Sequence, residues 1–139
     1  MGKNKVVAKI WLAKAKDDLA FAKAGWQESK IASVACVLSQ QAAEKALKSL
    51  LELENINIEK TRSLKTHRLV DIIEECKKYY PQVEVFIDDC EKLTVYYFDR
   101  YPAEIPLGLS EEDATFALNT ANEILRFVDK VISETEIDS

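Results

Sequence analysis

The side chains with the most chemistry in them gather in two places. Residues 96–106 read YYFDRYPAEIP, which sets Arg100 among four aromatic rings, Tyr96, Tyr97, Phe98 and Tyr101, just before Pro102. A guanidinium is a forked, permanently charged donor suited to phosphate, and neighbouring rings can stack on a base. The same residues have a structural use. Arginine can close the last carbonyls of a helix or pair with Asp99 or Glu104, while Tyr97 and Tyr101 pack on its plane. The second place is KTRSLKTHR, residues 60–68. Lys60, Arg62, Lys65 and Arg68 put four positive charges there with no acid between them. Such a stretch is either a solvated loop or a contact for phosphate or a partner protein.

His67 lies inside that stretch and is the only histidine of the chain. Imidazole exchanges protons near neutral pH. Metal-free cleavage of RNA needs a base for the 2′-hydroxyl and an acid for the leaving oxygen. His67 stands thirty-three residues before Arg100, so the two would have to be joined by the fold or across a dimer. A lone histidine in the first turn of a helix more commonly serves local hydrogen bonding, and the helix dipole there disfavours its charged form.

Other chemistries lack their residues. Cys36, Cys76 and Cys90 are odd in number and irregular in spacing, which argues against a disulfide framework. There is no CxxC pair and no Cys/His cluster, so no metal and no cofactor is expected. Each cysteine falls on an apolar position, as a small buried hydrophobe would. Neither a phosphate-binding glycine loop nor a hydrolase elbow is present. Glu111, Glu112 and Asp113 suit the start of a helix better than a metal site. Trp11 and Trp26 are expected in the core or a dimer seam.

These residues need elements to carry them, and the chain points to helices. Its 139 residues suit one domain, 1–139, with ends at 1–5 and 133–139 expected to fray. Three glycines and three prolines leave few turns. Ala8, Leu12, Ala15, Leu19, Ala22 and Trp26 recur in steps of four and three, a heptad seam on a first helix. Lys9, Lys16 and Lys23 repeat at sevens on another face, where solvent is expected. A second helix over about Ser29–Glu54 is apolar round most of its girth, including Ile31 and Val34, which marks it as central. Gln40, Glu44, Lys48 and Glu52 form its polar line, and Glu44 precedes Lys48 in the favourable order for an ion pair.

Residues 55–68 show no period and read as a loop, with Thr66 as N-cap of a third helix ending at Pro81. A fourth helix uses Val83, Phe86, Ile87, Cys90, Leu93 and Tyr97 and ends near Asp99. A fifth begins at the N-cap Ser110. The expected fold is all-α, an antiparallel up-and-down four-helix bundle with one additional short helix.

Charge divides along the chain. Residues 1–70 hold 13 basic and 7 acidic side chains, residues 71–139 hold 6 and 17, and the net charge is −5. An acidic chain meets nucleic acid only through a local basic patch. No run approaches the length of apolar residues that spans a bilayer, and the N-terminus does not read as a signal peptide. A cytoplasmic protein without membrane contact is the expectation.

Four pieces in order carry a resemblance: SQQAAEKALKSLL at 39–51, THRL at 66–69, DRYP at 99–102 and an alanine-rich last helix opening SEEDA at 110. Together, over Trp11 to Val131, they resemble the HEPN domain family. The resemblance implies an up-and-down helical bundle, a homodimer, and a nucleotidyltransferase protein partner in a toxin–antitoxin-like pair. Nucleotide or RNA is a further partner it implies. Some members are metal-independent ribonucleases that use an arginine followed four to six residues later by a histidine. Here Arg100 is followed by YPAEIPL, without a histidine. That departure favours a non-enzymatic module that dimerises and binds or assists a nucleotidyltransferase. Lys60, Arg62, Lys65, Arg68, Tyr97, Arg100 and Tyr101 are its candidate contacts. Two alternatives stay open: an endoribonuclease using Arg100 and His67, and a nucleotide-binding protein without turnover.

Overall fold

The structure is a computed structural model that describes residues 3–98 and 108–135, the side chains of Tyr97 and Phe98 excepted. Among the described residues every regular element is helical: α1 (Lys5–Ser29), α2 (Ala32–Leu53), α3 (Leu69–Lys77), α4 (Ile87–Phe98) and α5 (Glu111–Glu134), with 3-10 turns at Ile58–Lys60, Arg62–Leu64 and Pro81–Phe86. The expected all-α class is what forms.

Helix α1 starts where Asn4 accepts a hydrogen bond from the Val7 N–H at 3.3 Å. It runs past Gly25 and stops at Lys30, whose left-handed backbone (φ 55°) turns the chain into α2. The heptad seam is the buried face: Ala8, Leu12, Ala15, Leu19 and Ala22 are all at most 5% exposed. Alanine in three of those places lets the neighbouring backbones come close. Asn4 N–H donates to Leu53 O at 2.9 Å, so the start of α1 meets the end of α2 and the two run antiparallel. On the other flank Lys16 pairs with Asp129 (3.2 Å) and Lys23 bonds Asn122 (3.0 Å), so α5 also runs antiparallel to α1.

Helix α2 is the axis of the molecule. It touches α1, α3, α4 and α5, and from Ser39 to Leu53 only Gln41 and Lys45 escape full burial. Its 22 residues make a rod of about 33 Å. One expectation about it is corrected. The helix begins at Ala32, and Ile31 and Val34, read as part of its buried face, are 50% and 40% exposed; burial begins at Ala35. The polar line is buried: Gln40, Glu44, Lys48 and Glu52 are at most 6% exposed.

Residues 55–68 also differ from the unstructured loop expected of them. Ile58 and Leu64, each 2% exposed, plug into the core and fold the chain between them into two 3-10 turns. Thr66 is not the cap of α3. Its hydroxyl accepts the Arg68 N–H at 3.1 Å in a local turn, and Arg68 occupies the cap position. The first amide of α3 is satisfied from outside, Leu69 N–H donating to Thr94 Oγ1 of α4 at 3.0 Å. The fourth helix begins at Ile87 and not at Val83, because Pro81–Phe86 winds as a 3-10 turn on buried Val83.

The three cysteines are buried and free. Burial pushes the Cys36 and Cys90 thiols up to about 12, with Asp113 and Asp89 respectively adding to the effect, and raises Cys76 further. They pack as apolar groups.

Helix α5 begins with a full capping box. Ser110 Oγ accepts the Asp113 N–H at 3.2 Å, and Asp113 Oδ2 accepts the Ser110 N–H at 2.8 Å. Asp113 also accepts from Tyr96 Oη at 3.1 Å, which joins the cap to α4. The Ser110 backbone N–H first, then the two hydroxyls and Lys92, hold the Asp113 carboxyl below the usual range against the opposing effect of burial. A depressed carboxylate stabilises the fold above its unfolded pKa, and that contribution is lost as pH falls through the folded value. Ser110→Ala is therefore expected to cost about 1 kcal/mol at neutral pH. Urea titrations should show the difference from the parent shrinking below about pH 4. An unchanged urea midpoint at neutral pH would deny the cap its role.

Candidate functional site

Burying a charge costs several kcal/mol unless it is paired and hydrogen-bonded, so the polar line of α2 must find partners. Glu44 finds three. Its Oε2 accepts from Lys48 Nζ at 3.0 Å, one turn along the same helix. Its Oε1 accepts from Gln40 Nε2 at 3.3 Å and lies 3.0 Å from His67 Nδ1. A carboxylate beside an ammonium only accepts, so Nδ1 carries the proton of that bond. Gln40 Nε2 donates a second time, to the His67 backbone carbonyl at 3.0 Å. Both of its acceptors are oxygens, which fixes the amide orientation. Among the described residues Gln40 Oε1 and the neighbouring Ser39 Oγ have no hydrogen-bond partner.

Lys48 also faces the ring of Trp11 of α1, its Nζ 6.0 Å from the centroid. Glu52, one turn on, accepts the Ile58 N–H at 2.9 Å. The file thus binds the segment after α2 at both ends, by Glu52 at residue 58 and by Glu44 and Gln40 at residue 67. Glu54 continues beyond the helix: it accepts from Tyr80 Oη and pairs with Lys3.

Between these anchors the cations face solvent. Lys60, Arg62, Lys65 and Arg68 are exposed, as is His67, whose side chain keeps 52% of its surface. Arg68 reaches Asp71 at 3.4 Å. The structure therefore brings together five sequence candidates, four cations and the histidine, on one fastened segment. Arg100 and Tyr101 lie outside the described residues, as does the side chain of Tyr97. No group of three or more His, Cys, Asp or Glu is placed to hold a metal ion among the described residues, and none of their helices is long and apolar enough to cross a membrane.

The supporting carboxylate and amide were not among the candidates from sequence. A signal existed: Gln40, Glu44, Lys48 and Glu52 interrupt a helix that is apolar on its other sides, and a helix so wrapped has no wet face to give them.

A model of the HEPN domain family matches residues 8–131. The chain belongs to the HEPN domain family. No curated protein and no solved structure matches it. In this HEPN chain the helix-2 motif and the THRL motif, twenty-odd residues apart, are one hydrogen-bonded unit: Gln40, Glu44 and Lys48 come from the first and His67 from the second.

The unit has a measurable energy. Lys48→Met keeps the volume and leaves Glu44 buried without its ammonium. Breaking a buried pair from one side costs about 3–5 kcal/mol. Glu44→Gln combined with Lys48→Met removes both charges and is expected to recover most of that loss in chemical denaturation. A single variant that loses less than about 1 kcal/mol would mean that water screens the pair.

Proposed function

We propose that this HEPN chain is a non-enzymatic, dimer-forming module that binds a nucleotidyltransferase partner, in a toxin–antitoxin-like pairing, through the cationic segment 60–68. The supporting observation is the way that segment is held. Four cations stand out from a chain of net charge −5, on a backbone tied to α2 by Glu52, Gln40 and Glu44. A surface ordered before binding loses less freedom on binding. Fixed positive charge on an acidic protein selects a negative target and speeds encounter with it. An acidic patch of a protein partner, or the phosphates of a nucleotide that it holds, fits that description.

Absence of turnover is supported by the sequence after Arg100, which has no histidine in the four-to-six window.

The test is calorimetric titration of the chain with a small nucleotidyltransferase of the kind such a pairing requires. A stoichiometric complex at micromolar concentration is expected. Reversing the patch with K60E/R62E/K65E/R68E should weaken it by about tenfold or more and lower its dependence on salt. No complex, or a complex indifferent to the reversal, would contradict the proposal. RNA incubated with the chain in chelator should stay intact; cleavage lost in both Arg100→Ala and His67→Ala would replace this reading with the ribonuclease one.

A further inference from the structure

Helix α1 has a second seam. Val6, Ile10, Ala13, Asp17, Ala20 and Ala24 follow one another in steps of four and three. They lie about 180° round the helix from the buried seam, and Phe21 stands beside them. All are exposed, Val6 by 72%, Ile10 by 52% and Phe21 by 68%. A surface helix is expected to turn charged and polar residues outward. This one turns a stripe about 27 Å long outward with a single charge in it.

One edge of the stripe is cationic. Lys9, Lys16 and Lys23 repeat at sevens along it and stand over the groove between α1 and α5. Two hollows of about 280 Å³ and 250 Å³ open there, the first also lined by Arg126. Leu19 and Leu125 help line the first, and Leu12 and Ile132 the second. Asp129 is the one carboxylate lining them, against these four cations.

We infer that this face docks an amphipathic helix of another protein, apolar along one side and carrying acidic side chains at heptad spacing. The apolar stripe would take the partner's seam, and Lys9 and Arg126 its carboxylates, with Lys16 and Lys23 exchanging their bonds to Asp129 and Asn122 for further ones. Charge decides against the competing occupants. A second copy laid antiparallel on α1 sets the lysine row against its own image. Laid parallel, it meets the other edge, which offers Lys14, and Asp18 there already pairs with Lys45 at 2.6 Å. A nucleic acid would find Asp17 in the middle of the stripe and Asp129 in the groove. The surface is separate from the segment at 60–68, so it stands or falls independently of the proposed function.

The probe is a synthetic helical peptide of about 21 residues, three heptads, with leucines at the seam and glutamates flanking it. A lysine-flanked version is the control. Anisotropy of the labelled peptide against the full chain should show binding that weakens with salt. Both I10S/F21S and K16E/K23E should weaken it by about tenfold or more. Val95→Ser, at a 49% exposed site on α4, should leave it unchanged. All these positions are exposed, but K16E/K23E gives up the bonds of Lys16 to Asp129 and of Lys23 to Asn122, so thermal melts check that each variant keeps the fold. Equal binding of the lysine-flanked peptide, or indifference to both double variants, overturns the inference. So does a poly-uridine oligonucleotide that displaces the peptide and is itself lost in K16E/K23E. A fall in the chain's own mass by light scattering in I10S/F21S, without peptide, gives the face to a second copy and overturns it too.

Discussion

A helix wrapped on every side cannot leave a charge unanswered. Helix α2 carries Gln40, Glu44, Lys48 and Glu52 into the interior, and the arrangement around it follows from answering them. Lys48 is met within the helix by Glu44. Glu44, Glu52 and the Gln40 Nε2 donor are met by the chain that follows, at His67 and Ile58, while Gln40 Oε1 has no partner among the described residues. The polar file therefore holds α2 and also dictates where the next segment lies. Apolar anchors alone would bury Ile58 and Leu64 without fixing the backbone between them to within a hydrogen bond. Directional bonds add that specificity.

The consequence for binding is a division of labour. Segment 58–68 is tied to α2 at Ile58 and His67, and its cations face outward. The basic half of the chain, residues 1–70, supplies both charged surfaces of interest, this array and the lysine row of α1. The acidic half supplies the cap of α5, through Ser110, Asp113 and Tyr96, and most of the charge that keeps the protein negative. Membership of the HEPN family agrees with the all-helical scaffold that carries these features.

Much of the fold could be read from period alone. The buried seam of α1 and the central position of α2 follow from which residues recur at three and four, and the cap at Ser110 from residue type. The readings that changed were those where local pattern and tertiary context compete. Thr66 is a good N-cap type, but Thr94 on another helix satisfies the first amide of α3. Residues 55–68 have no period because only Ile58 and Leu64 among them are fully buried, and two plugs do not make a pattern. The depth of the polar line was not fixed by period, because exposure depends on how many neighbours surround a helix, and that is a property of the assembled bundle. For the site, the cations and the histidine were legible as residue types. Their carboxylate support was not, since nothing in the spacing of Glu44 and His67, twenty-three residues apart, announces contact.

The central claim is that the buried polar file of α2 fixes segment 58–68. Native-state hydrogen exchange tests it most directly, read at the Ile58 amide, which bonds Glu52, and at Leu64, whose amide bonds Thr61 within the second 3-10 turn. The account predicts slow exchange at both in the parent chain, with protection at Ile58 lost in Glu52→Ala while the amides of α5 keep theirs. Exchange of both amides at the rate of an unstructured peptide in the parent chain would contradict it.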